Sequence, residues 1–111
     1  MTAREERLAF NQTLFRNANE RIAAWPERQE ADPAQPASYF CECSRTDCRE
    51  QITLTPKEYE AARADARRFV IAPGHDLPEV ERVTDEHEPF AVVEKYEDTA
   101  PVVEATDPRR N

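Results

Sequence analysis

All three cysteines of this chain lie in one short stretch, Cys41-Glu42-Cys43-Ser44-Arg45-Thr46-Asp47-Cys48. The spacing is C-x-C-x4-C, which gathers the sulfurs at one tight turn. Thiolates this close repel one another unless a cation, a disulfide or protonation relieves the repulsion. Three is an odd number for a disulfide framework, and cytosolic thiols stay reduced. The stretch therefore predicts a soft-metal site, with zinc as the metal.

A closed structural zinc site needs a fourth ligand, and the chain has only two histidines, His75 and His87. His75 directly follows Pro73-Gly74, a turn that fixes the chain direction and suits a ligand delivered from a distance. His87 lies among acidic residues at a predicted hairpin tip, where a solvated histidine is the ordinary expectation. It remains an alternative, as do an acid such as Asp47 or Asp76 and a water at an open position. The metal ligands predicted from the sequence are Cys41, Cys43, Cys48 and His75.

Upstream of the cysteines, residues 1–25 are predicted to form an amphipathic N-terminal helix. Its apolar positions Leu8, Phe15 and Ile22 recur every seven residues, and Pro26 ends it. The apolar stripe predicts either packing across the helix's own domain or self-association. Residues 26–37, polar and interrupted by prolines, are predicted to be a linker.

Residues 38–97 are predicted to form a small α+β domain stabilised by zinc, with one helix and a short antiparallel sheet. Thr55 and Glu58 flank Pro56 in the pattern of a capping box, which predicts a helix start. Strands are predicted at Gln51–Leu54, Phe69–Ala72, Glu79–Val83 and Phe90–Tyr96. The only glycine, Gly74, predicts a backbone position with positive φ. Residues 98–111 are predicted to be a flexible tail.

The bulk composition narrows the class of partners. The net charge of −8 disfavours nonspecific binding to nucleic acid or to an anionic membrane. No apolar run is long enough to span a bilayer, so no membrane association is expected. The N-terminus carries charges where a signal peptide would need apolar residues, which predicts a cytoplasmic location.

Two resemblances bear on the cysteine stretch. One sequence pattern resembles the post-SET segment of lysine methyltransferases, namely Cys41-x-Cys43-x4-Cys48-Arg49. In that segment three such cysteines bind zinc together with a fourth ligand from elsewhere. Over residues 38–96 the chain is similar to a family of short uncharacterised bacterial proteins, matching at Phe40-Cys41-Glu42-Cys43, Cys48, Leu54-Thr55, Glu58-Tyr59-Glu60, Phe69, Pro73-Gly74-His75 and Val92-Val93-Glu94-Lys95. The first resemblance implies a coordination mode, and the second implies a shared domain.

No catalytic residues are predicted, because one glycine cannot build a phosphate-binding loop and no nucleophile–base spacing stands out. The leading hypothesis is a small cytosolic zinc-binding protein that acts as an interaction or regulatory module. It would have two partner surfaces. One is the helix at 4–25, which would bind a protein partner or a second copy of the chain. The other is the acidic hairpin formed by the strands predicted at Glu79–Val83 and Phe90–Tyr96. The alternatives are a thiol-based redox or metal sensor and a zinc enzyme with an open coordination position.

Overall fold

A long helix precedes two small antiparallel sheets in the computed structural model, which describes residues 2–86 and 88–109. The elements in chain order are α1 (Ala3–Ala23), α2 (Pro26–Glu30), β1 (Ala37–Phe40), β2 (Gln51–Leu54), α3 (Pro56–Arg63), β3 (Arg68–Ile71), β4 (Glu81–Glu86), β5 (Ala91–Lys95) and α4 (Ala100–Ala105). The α+β class predicted from the sequence is confirmed.

The two sheets place the cysteine stretch and His75 on separate connections. Strands β1 and β2 pair antiparallel with Phe40 opposite Gln51, so residues 41–50 form the loop between them. The second sheet has the order β3-β5-β4, with both pairs antiparallel. His75 lies on the connection from β3 to β4. Each predicted strand is present: β2 has the predicted bounds, and the ends of β3, β4 and β5 differ from the prediction by one to three residues.

The core forms where α3 and the two sheets meet. Phe69, Val70 and Val93 are completely buried, and the rings of Tyr39 and Tyr59 stack with their centroids 4.5 Å apart. Stacking of this kind adds to the area that the rings bury. The predicted capping box of α3 is present: Thr55 accepts from the Glu58 amide, and the Glu58 carboxylate accepts from the Thr55 amide. Helix α3 ends at Arg63, before the end predicted from the sequence, which was near Arg68.

Helix α1 is buried through a face that is largely polar. Leu8, Phe15 and Ile22, which were predicted to form the packing stripe, are only half-buried. Phe10 and Leu14 remain 49% and 47% exposed. The fully buried positions are Ala9, Gln12, Thr13, Arg16, Asn19 and Ala23. The helix therefore docks mainly by hydrogen bonding to later segments, and this orientation turns part of its apolar surface outward.

Arg16 shows how this polar docking works. It has no exposed surface, and its guanidinium lies 4.9 Å from the centroid of the Phe69 ring. Its Nη1 donates to the Ala66 carbonyl at 2.9 Å and its Nη2 to the Val103 carbonyl at 2.8 Å. Burial lowers the pKa of Arg16. One cation thereby ties α1 to the segment between α3 and β3 and to α4.

The segments predicted as linker and tail both contain regular structure. Residues 26–37 hold α2 and the first residue of β1. Residues 98–111, predicted to be flexible, instead contain α4, in which Val103 is completely buried. Asp107 forms a buried ion pair with Arg63, which fixes the chain after α4. In residues 2–86 and 88–109, no helix has the length and apolar character needed to cross a membrane.

Candidate metal centre

The β1–β2 loop is anchored so that its cysteines face one point. The Cys41 amide donates to the Glu50 carbonyl at 3.0 Å, which closes the base of the loop. At the tip, the Cys48 amide donates to the Arg45 carbonyl. Cys41 and Cys43 contribute their sulfurs to one cluster, whereas the Glu42 side chain between them bonds elsewhere.

The loop is also attached to the end of β3. The Glu42 amide donates to the Val70 carbonyl at 2.8 Å, and the Val70 amide donates to the Glu42 carboxylate at 3.0 Å. The Cys41 sulfur accepts from the Ala72 amide at 3.2 Å. An N–H bond to sulfur favours the thiolate form that binds metals. These bonds place the cysteine loop beside the segment that carries His75.

A turn delivers His75 to the sulfurs. Gly74 has φ of 85°, the left-handed conformation predicted for it, and the His75 amide donates to the Ala72 carbonyl at 3.1 Å. His75 Nδ1 then lies 3.5 Å from the Cys41 sulfur and 3.8 Å from the Cys48 sulfur. The chain thus reverses directly after β3 and returns its imidazole to the cysteine loop.

Four donor atoms meet in this cluster, one each from Cys41, Cys43, Cys48 and His75, and all lie within 4.8 Å of one another. For tetrahedral zinc, with Zn–S near 2.3 Å and Zn–N near 2.0–2.1 Å, a sulfur and a nitrogen ligand are separated by about 3.6 Å. The two sulfur–nitrogen distances fit that value. Thiolate and imidazole donors together suit a soft or borderline cation such as zinc.

The three thiols hold their protons unequally. The hydrogen bond with Cys41 lowers the pKa of Cys43 to about 5, while that bond and burial raise the pKa of Cys41. Burial also raises the pKa of Cys48. Without a metal, the cluster thus favours a thiolate at Cys43 that accepts a hydrogen bond from the Cys41 thiol. A divalent cation would favour the fully deprotonated set, since metal binding releases thiol protons.

The cluster is closed to solvent on the sulfur side. Cys41 and Cys43 are essentially inaccessible, and Cys48 is 7% exposed. The outer nitrogen of His75, Nε2, lies 3.8 Å from the Glu50 carboxylate. A carboxylate on that side favours the tautomer whose Nδ1 is free to bind a metal. The four donors are compatible with a four-coordinate metal site.

The other candidates for the fourth ligand stay outside the cluster. Asp47 is exposed and pairs with Arg45 at 3.5 Å. Asp76 follows His75 but is not among the clustered donors in the described part of the chain. His87 lies outside the described residues. Of the predicted donors, the structure brings together the three cysteines and His75.

Sequence reasoning missed three amide side chains of α1 that hold the loop backbone. Asn11 donates to the Ser44 carbonyl, Gln12 to the Glu42 carbonyl and Asn19 to the Phe40 carbonyl. No local pattern marks them, because their partners lie at least 21 residues away along the chain.

Comparison of the chain with family models, curated proteins and solved structures gave no match.

Proposed function

We propose that this protein is a small zinc-binding module in which Cys41, Cys43, Cys48 and His75 hold one zinc ion. The observation that supports the proposal is the meeting of three thiols and one imidazole from two separate connections, with all four donor atoms within 4.8 Å of one another. The metal would join the β1–β2 loop to the β3–β4 connection. Its role is structural, because four protein ligands fill the coordination sphere of a closed zinc site.

The two alternatives gain less support from the geometry. A zinc enzyme needs a position open to water or substrate, and His75 occupies the direction that such a ligand would use. A redox sensor needs an accessible thiolate, and Cys48, the most exposed of the three cysteines, is only 7% exposed. Slow zinc release under mild peroxide would distinguish a structural site from a redox sensor, and full zinc affinity of the variant His75→Ala would favour the zinc enzyme with an open position.

Purified protein is expected to contain about one equivalent of zinc, measured by elemental analysis. The variant His75→Ala should lose more than about 100-fold in zinc affinity, because removal of an outer-shell partner alone costs about 10–100-fold. His87→Ala is the matched control and should bind zinc as the unaltered protein does. Metal-free protein whose fold is indifferent to chelators would contradict the proposal, and equal affinities of the His75 variant and its control would reassign the fourth ligand.

We propose further that the module acts through interaction, with a second copy of the chain docking on α1. Phe10 and Leu14 lie one helical turn apart and are about half exposed. A two-fold contact brings each Phe10 against Leu14 of the second copy, which makes the patch self-complementary. The net charge of −8 disfavours nucleic acid and anionic membranes as partners, and the chemistry of a reduced thiol site favours the cytoplasm.

This interaction predicts a concentration-dependent dimer in sedimentation velocity. The double variant Phe10→Ser and Leu14→Ser should be monomeric and lose only a little thermal stability, because both side chains are about half exposed. Tyr96→Ser, which alters an exposed aromatic residue outside α1, is the matched control and should leave the dimer intact. A monomer at every concentration tested would rule out self-association.

A further inference from the structure

Helix α1 forms one wall of the candidate metal centre. Asn19 has no exposed surface and lies against the start of the cysteine loop. Its amide oxygen accepts from the Phe40 amide at 2.8 Å, and its amide nitrogen donates to the Phe40 carbonyl at 2.9 Å. One side chain thus matches both backbone groups of the residue that precedes the first cysteine.

The same amide also holds the residue between the first two cysteines. Asn19 Nδ2 donates to the Glu42 carboxylate at 2.8 Å, and Gln12 Nε2 donates to the Glu42 carbonyl at 3.1 Å. On its other side, Glu42 is bonded through its amide and carboxylate to Val70. Hydrogen bonds from α1 and β3 therefore fix both the backbone and the side chain of Glu42.

Fixing Glu42 fixes its neighbours. Cys41 and Cys43 are each one peptide unit from Glu42, so the bonds to Asn19 and Val70 determine where both sulfurs stand. A loop held in this way loses little further freedom when it binds a metal, and preorganisation of this kind raises affinity. Residues that orient metal ligands through hydrogen bonds commonly contribute 10–100-fold to affinity.

We infer that Asn19 is a positioning residue of the metal site, acting through Glu42 to hold Cys41 and Cys43 in the geometry that binds zinc. The inference rests on the proposed zinc function. It makes α1 a part of the metal centre and not an appended helix. Its consequence is that zinc affinity depends on a hydrogen bond whose donor lies 23 residues from its acceptor.

The test exchanges the donor and the acceptor of this bond. Asn19→Asp places a carboxylate against the Glu42 carboxylate, and Glu42→Gln places an amide donor against the amide donor of Asn19. Each single variant should bind zinc about 10–100-fold more weakly in competition with a chromophoric chelator. The double variant restores a donor–acceptor pair between these two side chains in the opposite sense, but not the bond from position 19 to the Phe40 carbonyl, so it should recover part of the lost affinity.

Two controls separate positioning from general stability. Asn17→Ala removes an amide on the same helix whose Oδ1 has no hydrogen-bond partner among the described residues, and it should leave the affinity unchanged. Val103→Ala opens a cavity in α4, away from the loop. If Val103→Ala and Asn19→Asp lower the melting temperature of the zinc-loaded protein by similar amounts, Val103→Ala should weaken zinc binding less than Asn19→Asp does. Cobalt-loaded single variants should keep thiolate charge-transfer bands, because the ligands are unchanged.

The possible failures are distinguishable. If the unaltered protein binds no zinc, the proposed function and this inference both fall. If the unaltered protein binds zinc and Asn19→Asp binds it equally well, only the positioning role is overturned. A loss of affinity that Val103→Ala reproduces at an equal fall in melting temperature likewise assigns Asn19 a merely structural role.

Discussion

Withdrawal of zinc with a strong chelator is expected to unfold most of the protein. A structural zinc ion contributes about 10–16 kcal/mol in small zinc-binding peptides, whereas whole domains are stable by only about 5–15 kcal/mol. Without the cation, the loop at 41–50 loses its link to His75, and neighbouring thiols must share protons inside the core. The loop also carries the bonds that dock α1, so the loss spreads beyond the site.

Thermal unfolding followed by circular dichroism measures this effect. The melting temperature should fall steeply in the presence of the chelator and return when zinc is added back. A calcium-selective chelator of similar charge is the control and should change nothing. The prediction fails if protein shown by elemental analysis to be free of metal melts at the same temperature as zinc-loaded protein.

Replacement of Lys95 by Met is expected to cost about 3–5 kcal/mol of unfolding free energy, although Lys95 is not one of the proposed metal ligands. Lys95 Nζ lies 2.9 Å from the Glu81 carboxylate, and neither side chain has appreciable exposed surface. Burial lowers the pKa of Lys95, and the neighbouring Glu81 acts against that shift. Removal of the cation leaves a buried carboxylate with only the Gln12 amide and the Leu77 amide as partners.

Chemical denaturation of a small set of variants tests this pair. Replacing both charges, as Lys95→Met with Glu81→Gln, should recover much of the loss, because a buried pair is often neutral relative to uncharged groups of similar size. Arg82→Met is the matched control. It removes a cation whose side chain is 65% exposed and which pairs with Glu94, so it should cost no more than about 1 kcal/mol. A Lys95 variant as stable as the Arg82 variant would show that the pair contributes nothing.

Local signals in the sequence were sufficient for the elements near the metal centre. The capping box at Thr55 and Glu58 and the positive φ at Gly74 depend only on neighbouring residues, and both are present as predicted. The cysteine spacing is local as well. The choice of His75 over other donors needed one further step, that a Pro-Gly turn can return an imidazole toward a distant loop.

The orientation of α1 could not be predicted in the same way. Heptad spacing of Leu8, Phe15 and Ile22 is the ordinary mark of a packing face. The buried face instead carries Gln12 and Asn19, because hydrogen bonds to segments 21 to 69 residues away compensate for their burial. Partners so distant leave no trace in a helical periodicity. The same holds for α4, whose anchoring depends on Arg16 and Arg63.

The order of the ligands along the chain has a consequence for biosynthesis. The sulfurs leave the ribosome first, and the imidazole of His75 follows Cys48 by 27 residues. At 5–20 residues per second, the interval is about 1–5 s. During that time the nascent chain exposes three thiols to metal ions and oxidants. Helix α1, which precedes the cysteines in the chain, has already been synthesised by then. On the proposed zinc function, maturation of the site would wait for the turn at Gly74, and a slow codon between Cys48 and His75 would lengthen the vulnerable period.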